Sequence, residues 1–216
     1  MSILGYSKRI EIDQEYLETC LAFARSTLLL AGKEILPLFR TPLESHNKLK
    51  QGFDPVTLAD KTSEALIRKE IQLHFPEHGI YGEELGLQVG NGLTWVIDPI
   101  DGTRGFVTGT LHWGMLLALF DGEMPILGVV YQPYTEEMFY GRDDSSWFKR
   151  GTDESIVLKT SSCIELGKAF LGTTDQELFD EEHATKFRRL RKRVRICRFG
   201  GDCYAYGLLA SGFVDL

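Results

Sequence analysis

Four short apolar segments in the middle of the chain, separated by turn-forming residues, constrain the fold more than any other feature of the sequence. Leu93–Ile97 is the first, and His112–Phe120 and Pro125–Pro133 flank the tetrapeptide Asp121–Met124. An Asp-Gly pair between two apolar runs is typical of a β-hairpin. Glu137–Gly141 predicts a further antiparallel strand. We therefore expect a sheet with antiparallel strands at the centre of the protein.

Helical patterns precede these strands. Ile12–Phe39 predicts a long amphipathic helix, because apolar residues recur there at steps of three and four, and Pro37 bends or ends it. A second helix is expected from about Asp60 to Phe75, with Pro76 beyond its end.

The chain after Lys159 predicts a second lobe. Residues 180–193 form a helical pattern with acidic residues first and basic residues last, as the helix dipole favours. Residues 193–199 predict a strand and residues 204–212 another helix. Interleaved helices and a partly antiparallel sheet favour a layered α+β sandwich. We expect a single unit over residues 1–216, with an N-terminal lobe of about 1–145 and a C-terminal lobe of about 146–216.

The charge balance excludes some classes of function. The 216 residues carry a net charge of −7, and their 43% hydrophobic content is enough for a real core. An acidic chain argues against a nucleic-acid binder, although bound divalent cations could still bring a phosphate ligand to it. The basic run Lys186–Arg195 is either a phosphate or nucleic-acid patch or, as the acidic whole favours, a solvated helix end.

The sequence also bears on location. No apolar run approaches the roughly 20 residues of a membrane helix, and the first 13 residues lack the apolar core of an export signal. The four cysteines are scattered without a C-x-x-C pair, so free thiols are expected rather than zinc sites or disulfides. We therefore expect a cytoplasmic protein that binds neither membranes nor nucleic acids.

The stretch WVIDPIDGTRGF ends a buried apolar run with two aspartates, Asp98 and Asp101. Neighbouring carboxylates repel each other and raise each other's pKa. Such a pair is tolerated if a cation lies between the two groups or if both face open water.

Two other acidic stretches share this placement at the end of an element. DPVTLAD (Asp54–Asp60) places Asp60 at the start of the second helix, and YGEE (Tyr81–Glu84) leaves that helix. Carboxylates at the ends of elements can converge on one point, and Mg²⁺ prefers oxygen ligands of this kind. The sequence therefore predicts a magnesium site.

The residues after Asp101 are of the types that bind a phosphate group. Gly102 lets the backbone approach an anion, and the successive N–H groups of Gly102 and Thr103 can form an anion-binding nest. Cations beside such a nest indicate hydrolysis of a phosphate ester by an activated water. Aspartyl-phosphate chemistry is excluded, because its aspartates lie two residues apart rather than three, and no G-x-x-x-x-G-K-[ST] or G-x-S-x-G motif is present.

Each motif also has a simpler interpretation when it is taken alone. D-P-I-D-G-T could be a surface turn, Glu83-Glu84 a solvated loop, and Asp60 a helix N-cap. The occurrence of all three together favours the metal site.

Taken together, WVIDPIDGTRGF, YGEE, DPVTLAD and GGDCYAYGLLASGFVDL resemble the inositol monophosphatase family of Mg²⁺-dependent phosphatases. The segments DGTRGF, HWGMLLAL, VVYQP and GGDCYAYGLLASGFVDL are most similar to its histidinol-phosphate phosphatase branch, since Arg104-Gly105 stands where the inositol branch usually has Thr-Asn. The resemblance implies a layered αβαβα sandwich and a homodimer.

The resemblance also implies site roles. Glu83, Asp98 and the carbonyl of Ile100 would bind the first Mg²⁺, and Asp98 and Asp101 the second. Asp60 and Thr103 would orient and deprotonate the attacking water, with Glu83 assisting through a further water. The amides of Gly102 and Thr103 would hold phosphate oxygens, and two or three ions are expected.

One departure from the family pattern concerns the C-terminus. The family has another metal-binding Asp in a W/Y-D-x-x-A stretch beyond the segment that corresponds to GFVDL, and Asp215 is too early to be that ligand. We expect the chain to be shortened there, so that the second ion lacks one ligand.

The expected substrate is L-histidinol phosphate. Its ammonium and imidazole call for a carboxylate, for which Asp202 is the candidate, and Arg104 would contact phosphate or shape the mouth of the site. For Asp202 a capping role before the last helix is an equal alternative. Inositol 1-phosphate or other sugar phosphates are the alternative substrates, and a weakly active phosphate-binding protein is the non-enzymatic alternative.

Overall fold

The computed structural model describes residue 10, residues 12–41, 45–47 and 55–216, without the side chains of 45–47 and 55–58. The helices are α1 (Gln14–Ile35), α2 (Leu58–His74), α3 (Thr103–Thr108), α4 (Glu181–Arg191) and α5 (Asp202–Ala210). The strands are β1 (Ser45–Asn47), β2 (Pro55–Thr57), β3 (Gly79–Gly82), β4 (Gly86–Gln88), β5 (Thr94–Asp101), β6 (Gly114–Phe120), β7 (Pro125–Gln132), β8 (Glu137–Arg142), β9 (Ser145–Arg150), β10 (Ile156–Val157), β11 (Phe170–Thr173) and β12 (Ile196–Phe199).

A mixed sheet of eight strands in the order β10-β9-β8-β7-β6-β5-β3-β4 forms the centre of the molecule. From β5 to β10 each strand is antiparallel to the next one along the chain, and Leu117 faces Val129 across the predicted hairpin. The antiparallel arrangement expected from the sequence is therefore confirmed. The pair β3–β5 is parallel, which brings the carboxyl ends of these two strands to the same edge.

The elements stack in five layers. The apolar stripe of α1, including Leu21 and Leu28, is buried with α2 in the core on one face of the sheet. The other face contacts α5, where the Phe139 ring leaves room for no side chain at Gly207. Helix α5 then packs on the parallel pair β11–β12, which α4 covers. The αβαβα sandwich expected from the sequence is confirmed.

Two helices agree with their predicted bounds to within a few residues. Helix α1 begins at Gln14 because Asp13 caps it, its side chain accepting a hydrogen bond of 2.8 Å from the Tyr16 N–H. Helix α2 begins two residues earlier than expected and ends just before Phe75. No helix within the described ranges is both long and apolar enough to cross a membrane.

Several strands differ from the sequence expectation, and β1 to β4 and β11 have no counterpart in it. Strand β5 continues to Asp101 instead of ending at Ile97, although proline normally ends a strand. Strands β9 and β10 lie in the polar stretch 142–159, to which the sequence assigned no element, and they extend the large sheet beyond residue 145. The division into two lobes stays a prediction.

Candidate active site

Asp98 and Asp101 lie on an irregular stretch of β5. Asp98 faces Leu116 and Asp101 faces Gly114 on β6, and the register shifts between the two aspartates. Pro99 has no N–H to donate to a ladder, so a bulge at this point is expected, and such bulges turn side chains in new directions. Because Pro99 itself is buried, the interpretation of D-P-I-D-G-T as a surface turn is wrong.

The carboxylate of Asp98 is held in an unfavourable environment. Burial, followed by the charges of Glu83, Asp101 and Asp60 in that order, raises the pKa of the Asp98 carboxyl to about 8. Its Oδ1 atom is buried without a hydrogen-bond partner in the described part of the chain. Four carboxylates from three separate stretches of sequence are therefore within electrostatic reach of one another.

The fold explains how Glu83 reaches this point. Gly82, at the end of β3, is the register partner of Ile97 on the parallel strand β5, so the next residues of the two strands, Glu83 and Asp98, emerge side by side. Glu83 lies on an exposed turn, which agrees with the solvated-loop interpretation. It also lies close enough to Asp98 for its charge to raise the pKa of that carboxyl.

Asp60 approaches from the helical layer. It is the third residue of α2 and is only 4% exposed. The N-cap interpretation of Asp60 is therefore wrong, because a cap precedes the first helical residue. The start of the motif, Asp54, lies outside the described residues.

The donor set suits a hard cation. An unpartnered buried carboxylate oxygen beside three further carboxylates is stabilised when a divalent ion replaces the missing donor. No group of three or more His, Cys, Asp or Glu side chains, among the residues described, is arranged to hold a metal by itself. The set implied by the family resemblance contains three carboxylates, those of Glu83, Asp98 and Asp101, and adds the carbonyl of Ile100, so its carboxylates are not arranged as a metal-binding group here.

The turn after Asp101 leads directly into α3. Gly102 has a φ of 78° and precedes α3, so its N–H and that of Thr103 begin the helix. The Thr103 hydroxyl donates a hydrogen bond of 3.0 Å to the Ile100 carbonyl. That carbonyl keeps a second lone pair for another partner.

Helix α5 closes the site from the C-terminal part of the chain. The N–H of Cys203 donates a hydrogen bond of 2.6 Å to Asp101 Oδ2. Burial, followed by the charge of Asp101, raises the pKa of the Cys203 thiol, which is therefore a neutral packing group. The amide contact could not be predicted from the sequence, since a backbone donor leaves no trace in residue type.

Asp202 stands beside this group. Gly201 is the N-cap of α5 and Asp202 caps nothing, so the capping interpretation is wrong. Its φ of 41° is unusual for a residue other than glycine. Burial and then Asp101 raise the pKa of the Asp202 carboxyl, while His112 and Arg104 lower it. His112 could not be predicted as a neighbour of Asp202, because only the tertiary fold brings the two residues together.

Asp215 has a structural role at the other end of α5. Its carboxylate accepts hydrogen bonds from the Ser161 hydroxyl and, at 2.7 Å, from the Phe170 N–H. These bonds lower the pKa of the Asp215 carboxyl. The expectation that Asp215 is not a metal ligand agrees with this position.

Comparison with known proteins finds relatives that are named as phosphatases. The model of the "Inositol monophosphatase family" matches residues 16–216. The chain is 37% identical over 209 residues to the bifunctional phosphatase IMPL2, chloroplastic, of Arabidopsis thaliana, covering 95% of this chain and 59% of that protein. It is 37% identical over 190 residues to a histidinol-phosphatase of Chlorobaculum parvum, covering 86% and 71% of the two chains. It is 34% identical over 196 residues to inositol monophosphatase 1 of Solanum lycopersicum, covering 87% and 70%.

Solved structures give the same fold. An inositol monophosphatase from Zymomonas mobilis superposes with a TM-score of 0.77 at 37% identity, over 91% of this chain and 74% of that one. An IMPase from Thermotoga maritima gives the same TM-score at 27% identity, over 91% and 74%.

Proposed function

The chain belongs to the inositol monophosphatase family, and on that premise we propose that it hydrolyses a small phosphate monoester with the help of Mg²⁺. One observation carries the proposal: the half-buried carboxylate of Asp98 has a buried oxygen without a hydrogen-bond partner among the described residues, and it has three acidic neighbours. Such a group is costly unless a cation neutralises it.

The residues that would hold the two or three Mg²⁺ ions are Glu83, Asp98, Asp101 and the carbonyl of Ile100. When bound, the ions would supply charge neutralisation for the phosphate and the leaving oxygen and lower the pKa of a coordinated water. The chain spans 59% of the Arabidopsis relative, and the full ligand set of the second ion is part of the proposal.

The chain's own groups would perform the remaining steps. The N–H groups of Gly102 and Thr103 would donate hydrogen bonds to phosphate oxygens at the start of α3. Asp60 and Thr103 would orient a water for in-line attack on phosphorus and accept its proton. Asp60 is suited to this because its 4% exposure limits competition from bulk water.

We propose L-histidinol phosphate as the substrate. Asp202 is a half-buried carboxylate at the edge of the site, next to Arg104 and His112, and could pair with an ammonium group of the substrate. The similarity to the Chlorobaculum histidinol-phosphatase supports this choice. Inositol 1-phosphate is the second candidate, supported by the similarity to the Solanum inositol monophosphatase.

A phosphate-release assay on histidinol phosphate, inositol 1-phosphate and an aryl phosphate, with and without Mg²⁺, tests the proposal. We expect Mg²⁺-dependent release with the highest kcat/KM on histidinol phosphate. A preference for inositol 1-phosphate would overturn the substrate. Absence of release from all three, by a chain extended to the length of its relatives, would favour a phosphate-binding role without catalysis.

Asp202→Asn separates substrate recognition from chemistry. We expect it to raise KM for histidinol phosphate and to leave turnover of the aryl phosphate almost unchanged, since the aryl compound has no ammonium group. An equal loss on both substrates would remove Asp202 from the alcohol pocket.

Two further properties belong to the proposal. A homodimer is supported by the family resemblance, and sedimentation velocity tests it. A reducing compartment such as the cytoplasm is supported by four free cysteines, Cys20, Cys163, Cys197 and Cys203.

A further inference from the structure

Glu64 is a charged residue that the proposed chemistry does not use. It lies on α2, one helical turn after Asp60, and its exposure is 0%. Glutamate is almost never fully buried unless it is paired. The groups that pair with the Glu64 carboxylate should therefore indicate its role.

Glu64 binds the turn that carries Glu83. Its Oε2 accepts a hydrogen bond of 2.6 Å from the Glu84 N–H, and its Oε1 accepts one of 3.1 Å from the Leu85 N–H. These are the two residues that follow Glu83 in the chain.

Arg68 completes the contact. Its Nε donates a hydrogen bond of 2.7 Å to Glu64 Oε1, and its Nη2 donates to the Gly86 carbonyl at the far end of the same turn. Glu64 and Arg68 are thus one ion pair with three bonds to the backbone of residues 84–86.

The residue before Glu83 fits against the same carboxylate. A Cβ atom built on Gly82 would lie 2.0 Å from Glu64 Oε1, so the strand approaches the glutamate as closely as a glycine allows. The backbone on both sides of Glu83 is therefore fixed by Glu64.

We propose that Glu64 is a positioning residue that sets the place of Glu83 relative to Asp60 and Asp98. Helix α2 carries Asp60 directly and holds the Glu83 turn through Glu64, so one rigid element places both acidic groups. The inference rests on the proposed function in that Glu83 serves there as a metal ligand. Groups that orient a ligand typically change metal affinity or activity by about 10- to 100-fold when they are mutated.

Glu64→Gln is the decisive variant. Glutamine keeps the shape but has one acceptor oxygen, so an NH₂ group then faces a backbone donor at Glu84 or Leu85. Glu70→Gln is the matched control, because Glu70 lies on the same helix and its carboxylate lies 3.9 Å from the ring of His74 on that helix. Mn²⁺ binding is measured by electron paramagnetic resonance without substrate, and amide hydrogen exchange is followed at residues 84 and 85.

We expect Glu64→Gln to weaken Mn²⁺ binding by at least about 10-fold. We also expect it to speed exchange at Glu84 and Leu85 but not at Glu123 and Met124, whose N–H groups are held by Asp121 in a distant turn. Faster exchange in both turns would indicate general destabilisation and overturn the proposal. Mn²⁺ affinity within threefold of the wild type would overturn it as well.

Arg68→Lys keeps the test informative if Glu64→Gln does not fold. A lysine ammonium lacks the planar fork by which two separate guanidinium nitrogens bind Glu64 and the Gly86 carbonyl, so Mn²⁺ binding should weaken by a smaller factor, about threefold to 10-fold. Unchanged affinity in this variant would then contradict the proposal. A separate outcome tests the proposed function itself. If the wild type binds no Mn²⁺ while Glu70→Gln folds normally, the metal-dependent function is wrong, and the role of Glu64 that depends on it is wrong too.

Discussion

At the scale of single residues, Asp98 is the acidic group on which the proposed metal site depends. Its pKa rises from 3.8 in an ordinary setting to about 8, because it is buried among other carboxylates. Between these two values the folded protein holds a proton on Asp98 that the unfolded chain has released. Stability of the metal-free protein therefore falls as pH rises through this window.

Asp98→Asn should remove this fall in the stability of the metal-free protein with rising pH. In metal-free buffer at pH 8 we expect the variant to melt higher than the wild type, by at least about 3 °C, which corresponds to roughly 1 kcal/mol for a domain of this size. Near pH 4 the difference should be small. Differential scanning calorimetry with a chelator measures both values, and a constant difference across the pH range would contradict the assigned cause.

Asp101 should matter for turnover more than for folding. The asparagine in Asp101→Asn can still accept the hydrogen bond from the Cys203 N–H, so helix α5 should stay in place. Loss of the charge should remove stabilisation of the transition state. A rise of about 2.7 kcal/mol in the activation free energy lowers the rate about 100-fold. We expect kcat to fall by at least that factor, with an unchanged far-UV circular dichroism spectrum.

The control for Asp101→Asn is Asp180→Asn. Asp180 caps α4 through the His183 N–H, and asparagine caps equally well. Its kcat should equal that of the wild type. Near-normal turnover in Asp101→Asn would remove that residue from the metal site.

At the scale of elements, much of the fold follows from local patterns. The hairpin between β6 and β7 and the two N-terminal helices could be predicted because apolar periodicity and turn residues determine them locally. Strand β9 could not, because its burial depends on β8 beside it and its own sequence is polar at the ends. The continuation of β5 through Pro99 depends likewise on tertiary pairing with β6.

Gly102 connects β5 to α3 and is a second test at this scale. Its φ of 78° is unfavourable for other residues, and an added Cβ would lie 2.6 Å from the His112 carbonyl oxygen. Gly102→Ala should therefore lower the free energy of unfolding by at least about 2 kcal/mol. Gly128→Ala is the control, because no atom lies within 4 Å of its added Cβ, and it should change stability by less than about 0.5 kcal/mol.

Urea unfolding followed by fluorescence measures both glycine variants. The backbone contact at His112 cannot be relieved by rotating a side chain, so α3 itself would have to shift. Equal stability of the two variants would show that this connection adapts more freely than its geometry indicates.

At the scale of the whole molecule, the candidate site joins parts of the chain that only the fold brings together. The motifs around Asp60, Glu83 and Asp98 could be found in the sequence because each carries unusual acidic residues at the end of an element. The groups that hold these acidic residues in place could not be found in the sequence. Glu64 looks like any helical glutamate, and the contact of Cys203 with Asp101 uses only a backbone N–H.

Metal binding should therefore stabilise the whole fold and not one loop. At a Mg²⁺ concentration about 100 times the dissociation constant, the free energy of unfolding should rise by about 2.7 kcal/mol, which raises Tm by roughly 5–10 °C. Because Asp98 must lose its proton to bind a cation, the Mg²⁺ concentration needed for half of this gain should rise by roughly tenfold for each pH unit below about 8.

Thermal unfolding at pH 6, 7 and 8.5 over a range of MgCl₂ concentrations measures this dependence, with NaCl at equal ionic strength as the control for screening. The wild type should show the shift in MgCl₂ only, and Asp101→Asn should lose most of it. A Mg²⁺ effect that is independent of pH would mean that Asp98 is already ionised in the free protein. An effect of equal size in Asp101→Asn would place the ion elsewhere on this acidic chain.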